Sequence, residues 1–87
     1  MEKVIATVDR PNGEQIQARL SEFKGQTYLS VRVYYEDRST EEMKPGRNGI
    51  NLPLSEAPEF FRLVEALKED DAVIDALHLE AATEAGE

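Results

Sequence analysis

Apolar and polar positions alternate with a period of two through the first half of the chain. Over residues 3–10, Val4, Ala6 and Val8 alternate with Lys3, Thr7 and Asp9, which predicts a first strand closed by the turn residues Pro11-Asn12-Gly13. Over residues 15–23, Ile16, Ala18 and Leu20 share one face, while Gln15, Gln17, Arg19, Ser21 and Phe23 share the other. Lys24-Gly25-Gln26 makes the next tight turn. Residues 27–37 are the longest β-prone run, with Leu29, Val31 and Val33 toward the core. Tyr28, Ser30, Arg32 and Tyr34 then face solvent beside Arg19 and Phe23, and strict alternation puts Tyr35 on the apolar side. A polar loop over residues 38–42 leads to a fourth strand through residues 43–52. Pro45 cannot donate to a ladder, so that strand is interrupted or lies on an edge. Pro45-Gly46 and Asn48-Gly49 are turn signals, and a tight bend there holds Lys44 and Arg47 on either side of it.

The period then changes. Ser55 is an acceptable N-cap and Pro58 fits a first turn, so a helix starts near Glu56 or Pro58. Phe60, Val64, Leu67, Ile74 and Leu77 recur at helical spacing, widened by Leu63 and Val73. Lys68-Glu69-Asp70-Asp71 interrupts this stripe, and Asp70 or Asp71 can cap a second segment, so a kinked helix and two helices are both allowed. Beyond Leu79 the pattern thins into Ala, Glu and Gly. The expected fold is α+β: a four-stranded antiparallel sheet followed by C-terminal helix in one domain, residues 1–79, with a short acidic tail, residues 80–87.

Eighty-seven residues bury only about 60–65% of the unfolded surface, so the core is marginal and a second subunit is expected to supplement it. The stripe of Phe60, Leu63, Val64, Leu67 and Ile74 exceeds what one small sheet needs and is the expected homodimer interface. The net charge of −8 is unevenly spread. Residues 1–54 carry eight Lys/Arg against eight Asp/Glu, whereas residues 55–87 carry two against ten. The N-terminal part is therefore free to gather its cations on one face, and the acidic C-terminal region is the part suited to protein partners.

The absence of cysteine excludes a disulfide framework and thiolate metal sites. With His78 as the single histidine and no serine in a nucleophile-elbow context, no nucleophile and base can be assembled; an enzyme is not expected, nor any cofactor or metal. Glu69, Asp70, Asp71 and Asp75 lack calcium-loop spacing and its glycine, and fit a capped helix break better. No apolar run approaches a membrane span or a signal peptide, so a soluble, non-secreted protein is expected. What the chain does offer is cations, Arg19, Lys24, Arg32, Lys44 and Arg47, together with the aromatics Phe23 and Tyr35. Single-strand binding needs those two ingredients, charge along the backbone and faces on which bases stack. Phe23 either caps the sheet edge or stacks on a base.

Residues 42–52, EMKPGRNGINL, resemble the signature of the transcriptional positive cofactor 4 (p15) single-stranded DNA-binding domain. Phe23-Lys24-Gly25 and the strand Leu29-Ser30-Val31-Arg32-Val33-Tyr34-Tyr35 are similar to that family's preceding turn and strand, and Asp70-Asp71-Ala72-Val73 to its helix. The resemblance covers residues 16–77, and the Met-Lys-Pro-Gly-Arg block is its most specific part. It implies a dimeric, whirly-like fold that binds single-stranded DNA without strong sequence preference through Phe23, Lys24, Arg32, Tyr35, Lys44 and Arg47; Arg19 is added from strand alternation. Gln26 and Asn48 stand where the family often has lysine, which implies weaker, more stacking-dependent binding. With no Ser/Lys-rich leader, a stand-alone bacterial or phage version is expected, cytoplasmic and nucleoid-associated; a eukaryotic version would be nuclear. The implied roles are transcription regulation and DNA replication or recombination. Two rival readings are an acidic protein-interaction adaptor, coactivator-like, and an RNA-binding protein.

Overall fold

The computed structural model describes residues 2–85, with side chains through residue 81. Two compact units follow one another, Met1–Ala57 and Pro58–Glu87. The first is a four-stranded antiparallel sheet in the order β1-β2-β3-β4, with β1 at Glu2–Asp9, β2 at Gln15–Phe23, β3 at Gln26–Glu36 and β4 at Met43–Pro53. A 3-10 turn at Leu54–Glu56 closes it. The second unit holds α1, Ala57–Glu69, from Pro58 onward, and α2, Asp71–Ala85.

Pairing keeps the expected faces of the two central strands. Ile16, Ala18 and Leu20 oppose Val33, Val31 and Leu29, while Gln15, Gln17, Arg19 and Ser21 oppose Tyr34, Arg32, Ser30 and Tyr28. The β2–β3 connection has two residues, Lys24 (φ 52) and Gly25 (φ 77), both left-handed as the twist of a two-residue hairpin requires. Glycine takes that conformation without cost, and lysine does not.

In β1 the register shifts between Val4 and Ala6, with Ile5 as the extra residue. Beyond it, Ala6 and Val8 oppose Ala18 and Ile16 as alternation predicts. Before it the faces are exchanged: Val4 opposes Arg19 on the polar face and Lys3 opposes Leu20 on the apolar face.

The largest departure from the sequence-based expectation lies in residues 44–49. These form no Pro-Gly turn; they are extended strand, and neither Gly46 nor Gly49 has positive φ. The register breaks instead between Arg32 and Tyr34, so residues 46–48 bulge opposite Val33. The glycines are needed for close approach. A Cβ on Gly46 would lie 2.9 Å from the Val33 carbonyl oxygen, and one on Gly49 would lie 2.6 Å from the Val31 oxygen. Pro45 is tolerated because β4 is both bulged and an edge strand.

The helix boundary also differs from expectation. Ser55 lies inside the 3-10 turn and caps nothing; Pro53 precedes it without a side-chain cap. Between the helices the sequence break is resolved as two helices: Asp70 Oδ1 accepts from the N–H groups of Ala72 (2.9 Å) and Val73 (3.2 Å), capping α2. α2 continues to Ala85, through most of the segment expected as a tail, and residues 86 and 87 lie outside the described residues. On α1, Leu63 and Leu67 are exposed and Phe60 and Val64 half-buried; Ile74 on α2 is half-buried. No helix among the described residues is long and apolar enough to cross a membrane.

Candidate nucleic-acid interface

Leu29, Val31 and Val33, expected in a core, are only half-buried; the most buried side chains of the sheet are Gln17 and Tyr34, each 6% exposed, on the polar face. Their neighbours on that face account for it. The Arg19 guanidinium carbon lies 4.4 Å from the Tyr34 ring centroid, a cation–π contact of about 0.5–2 kcal/mol. Arg19 Nε donates to Gln17 Oε1 (2.8 Å) and Nη1 donates to Glu2 Oε1. Gln17 Nε2 donates to Gln15 Oε1 (2.8 Å), and Gln15 Nε2 to Asp9 Oδ1 (2.8 Å). The result is a continuous polar chain across β1 and β2 that fixes Arg19 in place.

Arg32 shares this face. Its Nη1 donates to the carbonyls of Gly46 (3.2 Å) and Arg47 (3.3 Å), spanning the bulge from β3. Phe23, at the hairpin end, is 64% exposed, and Lys24 Nζ stands 5.4 Å from its ring centroid. A large aromatic left this exposed contributes little to folding, so edge capping does not explain it.

Tyr35 and Lys44 are placed otherwise. They oppose each other across β3 and β4, one position beyond the Tyr34–Pro45 pair, and so lie on the opposite face from Arg19, Phe23 and Arg32. Tyr35 is 42% exposed rather than core, with Cδ1 3.7 Å from where a Gly46 Cβ would be. Lys44 Nζ pairs with Asp37 Oδ2 at 2.8 Å. Arg47 is exposed in the bulge at the edge between the two faces. The structure thus gathers Arg19, Phe23, Lys24 and Arg32 along one face, sets Tyr35 and Lys44 on the other, and puts Arg47 at the edge.

Sequence reasoning missed Asp37, which organises the loop of residues 37–42. Besides Lys44, its carboxylate accepts from the Ser39 hydroxyl (2.6 Å) and the Ser39 N–H (2.9 Å), while its own N–H donates to the Glu42 carbonyl (2.8 Å). The Lys44 hydrogen bond, aided by Ser39, holds the Asp37 carboxyl well below the usual carboxylate range, and Asp37 in turn raises Lys44. A depressed carboxylate stabilises the fold above its unfolded pKa, about 3.9, and that contribution is lost as pH falls through the lower folded value. Asp37→Asn is therefore expected to melt below the unmodified protein at pH 7, with the gap narrowing at pH 3. Parallel melts at the two pH values check this; a gap that widens in acid would contradict it.

Gln17, Tyr34 and Glu2 were also missed. Alternation places Tyr34 and Gln17 beside Arg19, but it carries no information about how far an arginine folds over a neighbouring ring. Among the described residues no cluster of metal-ligating side chains occurs.

Comparison with known proteins agrees with the fold. A Burkholderia pseudomallei PC4 homologue has a similar structure, with a TM-score of 0.69 at 22% identity over 79% of this chain and 100% of that one. A bacteriophage T5 homologue of the eukaryotic transcription coactivator PC4, implicated in recombination-dependent DNA replication, gives a TM-score of 0.61 at 22% identity over 99% and 97%. A candidate RNA polymerase II transcriptional coactivator of Caenorhabditis elegans is 49% identical over 35 residues, 40% of this chain and 28% of that protein, so the chain spans little more than a quarter of that relative. The family model for Transcriptional Coactivator p15 (PC4) matches residues 11–63, which take in β2, β3, β4 and the start of α1. That match extends over more than half of the sequence, and the chain belongs to the transcriptional coactivator p15 (PC4) family.

Proposed function

We propose that this chain is a homodimeric, largely sequence-nonspecific single-stranded DNA-binding protein that is not an enzyme, and that it serves transcription regulation or DNA replication and recombination. The observation that carries the reading is the pairing of an exposed aromatic, Phe23, with Lys24 at the head of a face that also fixes Arg19 and Arg32. Stacking on Phe23 tolerates any base, and the arginines meet the backbone. From Phe23 the strand runs along the polar face to Arg32, crosses the β4 edge at Arg47, and reaches Tyr35 and Lys44. Nine residue-to-residue steps along β3 separate the Phe23 row from the Tyr35 row, about 30 Å of track. Lys44 is shared on this path between Asp37 and phosphate. The coactivator relatives favour a transcription role and the phage relative a replication one; the acidic C-terminal region is the surface for protein partners in either setting.

Affinity of the unmodified protein for oligothymidylate and for duplex, each at two salt concentrations, tests the reading. Tighter single-strand binding that weakens with salt is expected; equal binding to duplex, or none to either, would overturn it. An oligouridylate bound more tightly than oligothymidylate would favour the RNA reading instead.

Dimerisation is assigned to the stripe of Phe60, Leu63, Val64, Leu67 and Ile74, with exposed Leu63 and Leu67 as its most accessible members. Leu63→Asp with Leu67→Asp is expected to leave a monomer of 9.8 kDa by light scattering where the unmodified protein gives twice that mass. A monomeric unmodified protein at micromolar concentration would remove this part of the proposal.

A further inference from the structure

An open depression lies in the polar face, lined by Glu2, Arg19, Ser21, Ser30, Arg32, Tyr34 and Asn51. Arg19, Ser30 and Asn51 stand directly opposite one another on β2, β3 and β4, and the next row sets Arg32 against Gly49, which adds no side chain to fill the space. Both guanidinia are fixed before any ligand arrives. Arg19 is held by Gln17, Glu2 and the Tyr34 ring, and Arg32 by the two bulge carbonyls. Among the described residues, no polar side-chain partner takes up the Ser21 and Ser30 hydroxyls or the Asn51 carboxamide. Two cations and three neutral donors therefore converge on one small space, and among the described residues the carboxylate of Glu2 is the one anion in it.

We propose that this depression receives one phosphodiester phosphate of a bound single strand, and that Glu2 holds its place on Arg19 until the phosphate displaces it. The proposal rests on the single-strand reading and adds to it a defined subsite with a competing internal anion. Phosphate suits the site because guanidinium forks pair with its oxygens in parallel, while hydroxyl and carboxamide donors complete its shell. Glu2 is suited to leave: it is the first residue of an edge strand, its side chain is about half exposed, and ion pairs between such groups are weak. Arg19 needs no reorganisation when the exchange occurs, because Gln17 and Tyr34 keep hold of it.

The test is a double-mutant cycle read by fluorescence anisotropy with labelled oligothymidylate over a salt series. Glu2→Gln should tighten binding about 2- to 5-fold. Arg19→Gln should weaken binding and reduce the log-log salt slope by about 0.7, the loss of one phosphate contact. With Arg19→Gln already present, the gain from Glu2→Gln should vanish. An unchanged or weaker affinity for Glu2→Gln overturns the proposal, as does a gain that persists without Arg19, which would be a long-range charge effect. Should Arg19→Gln unfold the sheet, Glu2→Gln at an exposed site still decides, with Arg19→Lys as the second arm, expected to keep the salt slope but lose affinity. Thymidine 5′-monophosphate competing as well as the oligomer, phosphate for phosphate, would assign the site to a free nucleotide and overturn the strand assignment. A protein with no salt-dependent binding brings down the single-strand reading itself. One that binds and is weakened by Phe23→Ala, yet is indifferent to Glu2→Gln, loses this subsite alone.

Discussion

Phe23→Ala weakens single-strand binding by about 5- to 150-fold, the equivalent of the roughly 1–3 kcal/mol that one base gains by stacking on an aromatic side chain. The magnitude follows from the exposure of the ring. At 64% exposure Phe23 has little burial to lose, so truncation leaves the fold intact and its cost falls on the ligand. Lys24 beside the ring adds a cation that a passing phosphate can reach, and the hairpin holds Lys24 at φ 52, a conformation a lysine adopts only under constraint. A duplex keeps its base faces stacked inside the helix, so the same substitution costs duplex binding much less. Titrations of both ligands against the variant and the unmodified protein, with circular dichroism to verify the fold, check this. Equal weakening of both ligands, or of neither, would return Phe23 to a structural role.

Gly49→Ala destabilises the fold by about 1–3 kcal/mol, as overpacking does where the neighbours cannot yield. The added carbon would sit 2.6 Å from the Val31 carbonyl oxygen and 2.7 Å from the Arg32 Cα, both backbone atoms of the adjacent strand. Relief requires β4 to lift away from β3, which also withdraws the bulge carbonyls from Arg32. At a fixed protomer concentration each kcal/mol lowers the melting temperature of a domain this size by about 4–8 °C. An unchanged melting temperature for Gly49→Ala would mean that β4 is not held this close to β3.

Gly46 and Gly49 show what was legible in the sequence and what was not. Alternation over residues 15–23 and 27–37 carries the register, because a half-polar strand has only one way to divide its side chains between two faces; β2 was placed to the residue. The same alternation isolated Phe23 as an aromatic among polar neighbours. In residues 44–49 the local code misled. Pro-Gly and Asn-Gly are turn chemistry when read by themselves, yet here glycine is required by the closeness of a second strand, a constraint written in β3 rather than in β4. The bulge at Ile5 was hidden for a related reason: Val4, Ala6 and Val8 continue an unbroken alternation, and only pairing with β2 reveals that one residue is surplus. At the helix break the sequence offered Asp70 and Asp71 as caps, and the choice fell to Asp70 because its carboxylate reaches the N–H groups two and three residues on. Asp37 escaped notice because its partner Lys44 is seven residues away and becomes a neighbour only when β3 and β4 pair.

The interruptions in the two outer strands bear on how the protein behaves when crowded on a long polymer. An open four-stranded sheet has two unpaired margins, each able to recruit a strand from another molecule, and molecules lined up along one nucleic acid are held at high local concentration. Neither margin here offers a continuous ladder. Along β1 the surplus Ile5 breaks the spacing and Lys3 sets an ammonium on the apolar side, where a joining sheet would have to bury it. Along β4, Pro45 lacks a donor and residues 46–48 buckle away from regular pleat. On the single-strand reading proposed above, these interruptions hinder sheet-to-sheet pairing between molecules that lie side by side on one strand, and deleting Ile5 or replacing Pro45 with threonine would weaken that protection at one margin while Lys3 and the residue 46–48 bulge remain.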